Sequence, residues 1–318
     1  MAGSRIILIV LLAAGLMGLA GCEVPPSVPA PPSPPSPTPA PQVNKVTPQS
    51  EISRKQADHY ARVQADLLTR GLMRVGGGGP DTPFTRRNLV DNFIRIAMFD
   101  EYTTSGGRII AKATKSPLRR WEQPIRMKIE FGPSVPLAQR SKDRATIASY
   151  IRRLSHLTGL PMRLTNGPAN FTVLILNEDE RRAAAPRLLK LVPTINPLSL
   201  RTVTEMDQST FCLVFARSDD QNTSTYSRAV AVIRAEHPDL LRLSCFHEEL
   251  AQGLGLANDS PAARPSIFND DEEFALLTHH DELLLQMLYD DRLRPGMTVE
   301  EVRPIAEQIA AELMGGSS

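Results

Sequence analysis

Apolar residues fall at every second position across IRMKIEF, where Ile125, Met127, Ile129 and Phe131 alternate with Arg126, Lys128 and Glu130. That alternation predicts a strand with one buried face. NFTVLILN (170–177) is apolar almost throughout and reads as a strand buried on both sides; TFCLVFA (210–216) and AVAVIRA (229–235) add two more. Between the first two strands the period lengthens. Ile147, Ile151 and Leu154 mark the apolar side of a helix over 141–158, closed by Gly159. Helical spacing returns over 240–256 and 278–289. It returns again over 298–313, where Pro304 either kinks the helix or opens its second part. Upstream, a helix over 50–72 is stopped by Gly76–Gly79. A second, over 88–102, carries Leu89, Phe93, Ile96 and Ala97 on one face, and RIIAK after a Ser-Gly-Gly turn is a short strand. The order of strand, helix, strands, helix, irregular segment and helix predicts an α+β fold with a mixed sheet, preceded by a helical appendage.

The start of the chain concerns location. Arg5 is a short positive region, and residues 6–19 are apolar but too few to span a bilayer. Leu19-Ala20-Gly21-Cys22 resembles the lipobox of bacterial lipoproteins, which implies cleavage before Cys22 and acylation of that residue. Glu23 follows the Cys, so the expected address is the outer membrane, facing the periplasm. Residues 24–41 (VPPSVPAPPSPPSPTPAP) lack donors and apolar bulk, and read as an extended spacer. The expected divisions are 1–21 signal peptide, 22–47 lipidated Cys and linker, 48–116 helical segment, 117–294 main domain and 295–318 C-terminal helix and tail.

Charge narrows the partners. The net charge is +1 and the Arg pairs are scattered, which argues against nucleic acid. Of three Cys, lipidation takes Cys22 and leaves Cys212 and Cys245 as an even pair, expected as a disulfide in an oxidising periplasm. Two separate thiols are the plainer alternative, and a metal site from Cys212, Cys245 and His247 lacks a fourth ligand.

The chemistry concentrates in CFHEELAQGLGLANDS (245–260). Zincin peptidases use H-E-x-x-H because residues four apart share a helix face, so two imidazoles can bind one zinc while the Glu activates its water. Metzincins extend this to HExxHxxGxxH. Taking His247-Glu248 as the HE pair puts Ala251 at the second ligand position and fails. Shifted by one residue, Glu248 through Asn258 overlays the long motif without a gap. Glu249 is then the candidate general base and Gly255 the turn. Glu248, Gln252 and Asn258 stand at the three ligand positions, with His247 and Asp259 nearby. ARPSIF places Phe268 where a metzincin Met-turn has its Met. LLTHHDELLLQMLYD is similar to the closing metzincin helix, with Thr278 and Asp281 forming an N-cap pair.

These features imply a zincin-like fold, a mixed twisted sheet packed on an active-site helix and a C-terminal helix. At finer scale NLVDNFIRIAMFDEY, LRRWEQPI, NFTVLILNEDE, AVIRAEHPDLLRLSC and the stretch from HEELAQ to RPGM resemble a bacterial lipoprotein family of unknown function, numbered 2927. Gln and Asn oxygens are poor zinc ligands, so no cofactor is expected; the oxygen set suits Ca²⁺ or Mg²⁺ better than Zn²⁺. His279 and His280 are adjacent and diverge on a helix. Two functions remain in view. One is a non-catalytic module binding a peptide, peptidoglycan or an envelope protein. The other is a divergent hydrolase with Glu249 as base.

Overall fold

The computed structural model describes residues 49–315 apart from 106–107, 219–222 and 270. The expected signal peptide, the expected lipidation site Cys22 and the expected linker over 24–41 lie outside the described residues. Residues 45–318 form one compact unit.

Five strands make the central sheet, in the order β5-β4-β6-β9-β7. They are β4 (Ile125–Phe131), β5 (Met162–Leu164), β6 (Phe171–Leu176), β7 (Cys212–Arg217) and β9 (Arg228–Arg234). β4, β5, β6 and β9 are parallel; β7 joins β9 antiparallel and ends the sheet. One face carries Ile125, Met127, Ile129, Phe171, Val173, Ala231 and Ile233 into the main core. Packed there are α3 (Leu137–Thr158) and α7 (Asp239–Gln252), with Ile147, Ile151, Phe246 and Leu250 buried among them. The same core takes in α2 (Arg86–Ala97), α8 (His279–Leu288) and α9 (Val299–Gly315) through Leu89, Phe93, Leu284, Val302 and Ile309. The opposite sheet face buries Leu174, Val230 and Val232 against α5 (Ala185–Leu191) and α6 (Pro197–Thr204).

Several elements differ from the periodicity. The expected helix over 88–102 ends at Ala97, and Phe99–Tyr102 belong to β1 (Phe99–Ser105), paired antiparallel with β2 (Arg108–Lys115). The segment 48–116 is therefore not wholly helical. Thr103, Thr104 and Tyr102 favour a strand once a partner is present, and the partner is supplied only by the hairpin. Residues 178–204, to which the periodicity assigns no element, hold α4 (Glu178–Arg182), α5 and α6, each short enough to leave only a weak helical period. Short strands β3 (Arg120–Trp121) and β8 (Thr225–Tyr226) pair with each other, and neither they nor β5 carries enough alternation to read. α3 starts at Leu137, four residues early, from Pro136 at its N-cap. α9 is continuous with Pro304 inside it.

The first helix, α1 (Glu51–Thr69), packs Tyr60 and Leu67 against Leu241, Met73 and Ala275. Its Ser53 hydroxyl donates to Glu236 at 2.7 Å, and its Tyr60 hydroxyl to the Gln208 carbonyl at 3.0 Å. Among the described residues no helix is long and apolar enough to cross a membrane.

Candidate functional site

α7 follows β9 after a turn at Pro238 and runs beneath the sheet, with Cys245, Phe246, Leu250 and Ala251 in the core. Glu248 is half-buried and Glu249 only 3% exposed. Their carboxylate oxygens and the Cys212 sulfur lie within 4.8 Å of one another, so both acids meet the first residue of edge strand β7. Cys212 is bonded to Cys245. The expected disulfide therefore ties the edge strand to the helix that carries the acids. It also removes the sulfur as a ligand, and the cluster offers two carboxylates.

His247 points the other way. Its Nδ1 accepts from the Leu277 amide at 3.0 Å, and its ring stacks on Tyr150 at 4.0 Å between centroids. The Tyr150 hydroxyl donates to the His247 carbonyl at 2.8 Å. Burial, reinforced by the Arg153 charge, pushes the imidazole pKa down to about 3. His247 is thus a neutral packing residue between α3, α7 and the strand of chain before α8.

The helix stops where two glycines meet walls. A Cβ on Gly253 would lie 2.7 Å from the Phe171 ring. On Gly255, at φ +128°, it would lie 2.3 Å from the Arg119 carbonyl oxygen. Trp121 Nε1 donates to the Gly253 carbonyl at 2.8 Å and the Tyr289 hydroxyl to that of Leu254 at 2.9 Å. Gly255 therefore turns the chain because nothing larger fits beside β3.

Past the turn the three ligand positions part company. Gln252 Nε2 donates to Asp259 Oδ1 at 2.9 Å. Asn258 instead donates its Nδ2 to the Arg95 carbonyl at 2.8 Å and its backbone N–H to that of Ile96 at 3.1 Å, closing the end of α2. The residue that comes back to Gln252 is Asp259, one place beyond the motif position. Zinc, which the metzincin resemblance implies, does not fit these residues. The set contains no imidazole, His247 is committed elsewhere, and the amides of Gln252 and Asn258 donate to different partners.

Phe268 is fully buried at the expected Met position, with its carbonyl accepting from Ser260 N–H at 2.8 Å. The turn that holds it follows a cis Arg264–Pro265 bond. Asp281, itself fully buried, fixes that turn: it accepts from the Ser266 hydroxyl (2.5 Å), the Ile267 amide (3.1 Å) and the Thr278 amide and hydroxyl. Thr278 and Asp281 form the reciprocal N-terminal cap of α8. His279 is exposed beside Glu282, and buried His280 meets Asn92 at 3.1 Å, so the pair diverges.

Sequence reasoning passed over a buried polar knot close by. Glu178 bridges Arg181 (2.7 Å) and Arg234 (2.8 Å), all three at most 2% exposed, and its amide donates to Glu236 at 2.6 Å. His237 packs edge-on against Tyr60 with Nδ1 3.7 Å from Cys245 Sγ. The visible signal was the Asn177…Glu180 capping box that opens α4. A cavity of about 220 Å³ between α3 and α7, lined by Lys142, Asp143, Arg242 and Phe246 among others, includes none of the motif residues.

A family model described as "Protein of unknown function (DUF2927)" matches residues 86–308. The chain belongs to that family. The match runs from the start of α2 into α9 and so includes the sheet, α7 and the Phe268 turn. Comparison with curated proteins returns no match.

Proposed function

We propose that this DUF2927 chain is a peptidase-like binding module, held at the outer membrane by a lipid on Cys22 and facing the periplasm. It captures an extended peptide, a peptidoglycan stem or a segment of an envelope protein without cutting it. The reading is zincin-like in its parts: a mixed sheet with an antiparallel edge strand, a helix beneath it, a glycine turn and a buried turn under the closing helix. Zincin clefts hold peptides against the sheet edge by strand addition, which relies on backbone hydrogen bonds and no metal.

One observation carries the proposal. Glu248 and Glu249 converge on Cys212 at the head of β7, with Glu248 at a position where metzincins carry an imidazole and Glu249 at that of their general base, while His247 and His280 are engaged elsewhere. The scaffold is retained while its zinc chemistry is replaced. Two measurements test this on protein purified without chelator. Metal analysis should find far less than one zinc per chain. Hydrogen exchange across residues 212–217 should slow when peptides or muropeptides are added, with the added ligand recovered intact. One tightly held zinc per chain, or cleaved ligand, overturns the reading.

A second reading draws on the same closeness of Glu248 and Glu249, since two carboxylates that share a proton can act as acid and base. In it Glu249 is the general base of a divergent hydrolase. An unchanged turnover and cellular phenotype in Glu249→Gln would remove it.

A further inference from the structure

The cavity between α3 and α7 lies where parallel sheets hold their ligands. α3 follows the carboxyl end of β4 and α7 that of β9, and both helices pack on the same face of the sheet. Gln139, Lys142 and Asp143 line the cavity from the first turns of α3, and Asp239, Leu240 and Arg242 from those of α7. A crevice at the carboxyl ends of neighbouring parallel strands is the usual ligand position in such sheets. At about 220 Å³ this one is smaller than the roughly 300–1,000 Å³ of sites for drug-sized molecules, so it suits a small ligand.

Two ion pairs cross it. At the rim Lys142 Nζ meets Asp239 Oδ2 at 2.7 Å, with both side chains more than half exposed. Inside, Arg242 Nη1 meets Asp143 Oδ2 at 3.1 Å, with side chains 7% and 2% exposed. The pairs run in opposite senses, because α3 supplies the cation at the rim and the anion inside, while α7 does the reverse. The four charges therefore sum to zero, and a ligand of one sign would take one partner and strand the other.

The inner pair is under-served at both ends. Arg242 gives Nη2 to the Ala235 and His237 carbonyls, and its buried Nε has no acceptor among the described residues. Asp143 accepts from Gln139 Nε2 at 2.7 Å and from Arg242, two donors for a carboxylate with about four lone-pair sites. Burial raises the Asp143 pKa and outweighs the nearby Arg242 charge. The guanidinium is thus short of an acceptor and the carboxylate short of a donor. Beside them Leu240, Leu243 and Phe246 form an apolar wall.

We infer that this cavity binds a free zwitterionic amino acid with an aliphatic or aromatic side chain. Its carboxylate lies between Lys142 and Arg242, its ammonium takes Asp239 and Asp143, and its side chain rests on the apolar wall. Lys142 and Asp239 exchange each other for the ligand, so every charge keeps a counter-ion. An exposed ion pair contributes little, so opening the rim costs little. The site shares no residue with the Glu248–Glu249 cluster and does not depend on what that cluster does.

The test is calorimetric titration of the full chain with leucine, methionine and phenylalanine. At least one should saturate at one molecule per chain. The amide of that amino acid lacks the carboxylate and its N-acetyl derivative lacks the ammonium. Each should bind about tenfold or more weakly, the loss of one charge-assisted contact. The rim variants K142Q and D239N should each weaken binding about tenfold and leave the thermal midpoint close to that of the parent. R86Q/R87Q and E249Q should bind as the parent does, which separates this site from the peptide-binding reading. Three results would each overturn the inference: no saturable binding of any of the three, an amide or N-acetyl derivative that binds equally well, or rim variants that bind normally. A dipeptide that binds more tightly than the free amino acid would also overturn it, in favour of peptide ends.

Discussion

Single residues decide most of what the α7 region can do. His247 illustrates this, because its position in sequence suggests chemistry and its environment removes it. Its folded pKa of about 3 lies below the ordinary 6.5, so between those values the unfolded chain binds the proton that the folded chain refuses. Stability therefore rises with pH across that window, is complete above about 6.5 and is lost as the pH falls toward 3. The shift corresponds to roughly 4–5 kcal/mol at its fullest. His237, also held well below its usual value by burial and by Arg234 and Arg242, acts in the same direction. Urea unfolding between pH 4 and 7 should show this slope, and His247→Asn should flatten it. The identity of His247 was legible in the sequence, but its neutrality was not. That depends on Tyr150 and Leu277, 97 and 30 residues away in the chain.

Elements set the geometry of the site by how they are tied. β7 is an edge strand, and edge strands slip or fray unless something holds them. The Cys212–Cys245 bond, spanning a separation of 33 residues, fixes β7 to α7. Closing a loop of that length restricts the unfolded chain by about 3–4 kcal/mol. The double variant Cys212→Ser/Cys245→Ser should lose about that much in a denaturant titration, and its 212–217 amides should exchange faster than the rest of the sheet. The pairing could be counted from three cysteines. That it staples a strand to the helix over 240–256 was legible too; that this strand is the antiparallel end of the sheet was not. Helix ends behave alike: a run over 240–256 looks helical in period, yet α7 stops at Gln252 because Gly253 and Gly255 meet Phe171 and Arg119.

At the level of the whole molecule, α1, α4 and β9 are joined through buried charge. Glu178 answers two guanidinium groups that are each 1% exposed, and Arg234 also lies over the Tyr60 ring of α1. Removing the carboxylate would leave two buried cations without their counter-ion. Glu178→Gln should therefore cost about 3–5 kcal/mol in equilibrium unfolding, with faster exchange in both α1 and α4. A loss confined to α4 would show that the knot does not couple the N-terminal helix to the sheet.

The sequence by itself determined the α+β class, the four longer strands of the sheet, the long helices α3, α7 and α8, the Cys212–Cys245 pair and the family, because each is written in local period, local composition or contiguous motif. It also determined that the stretch over 248–259 is rich in oxygen-bearing side chains, Glu248, Glu249, Gln252, Asn258 and Asp259. Tertiary structure alone decided the order of the strands and the conversion of residues 99–102 to a strand. It likewise decided that Asn258 caps α2 while Asp259 returns to Gln252, and that two ion pairs cross the cavity between α3 and α7. These depend on which distant segments meet, and side-chain period along a chain carries no information about partners across space.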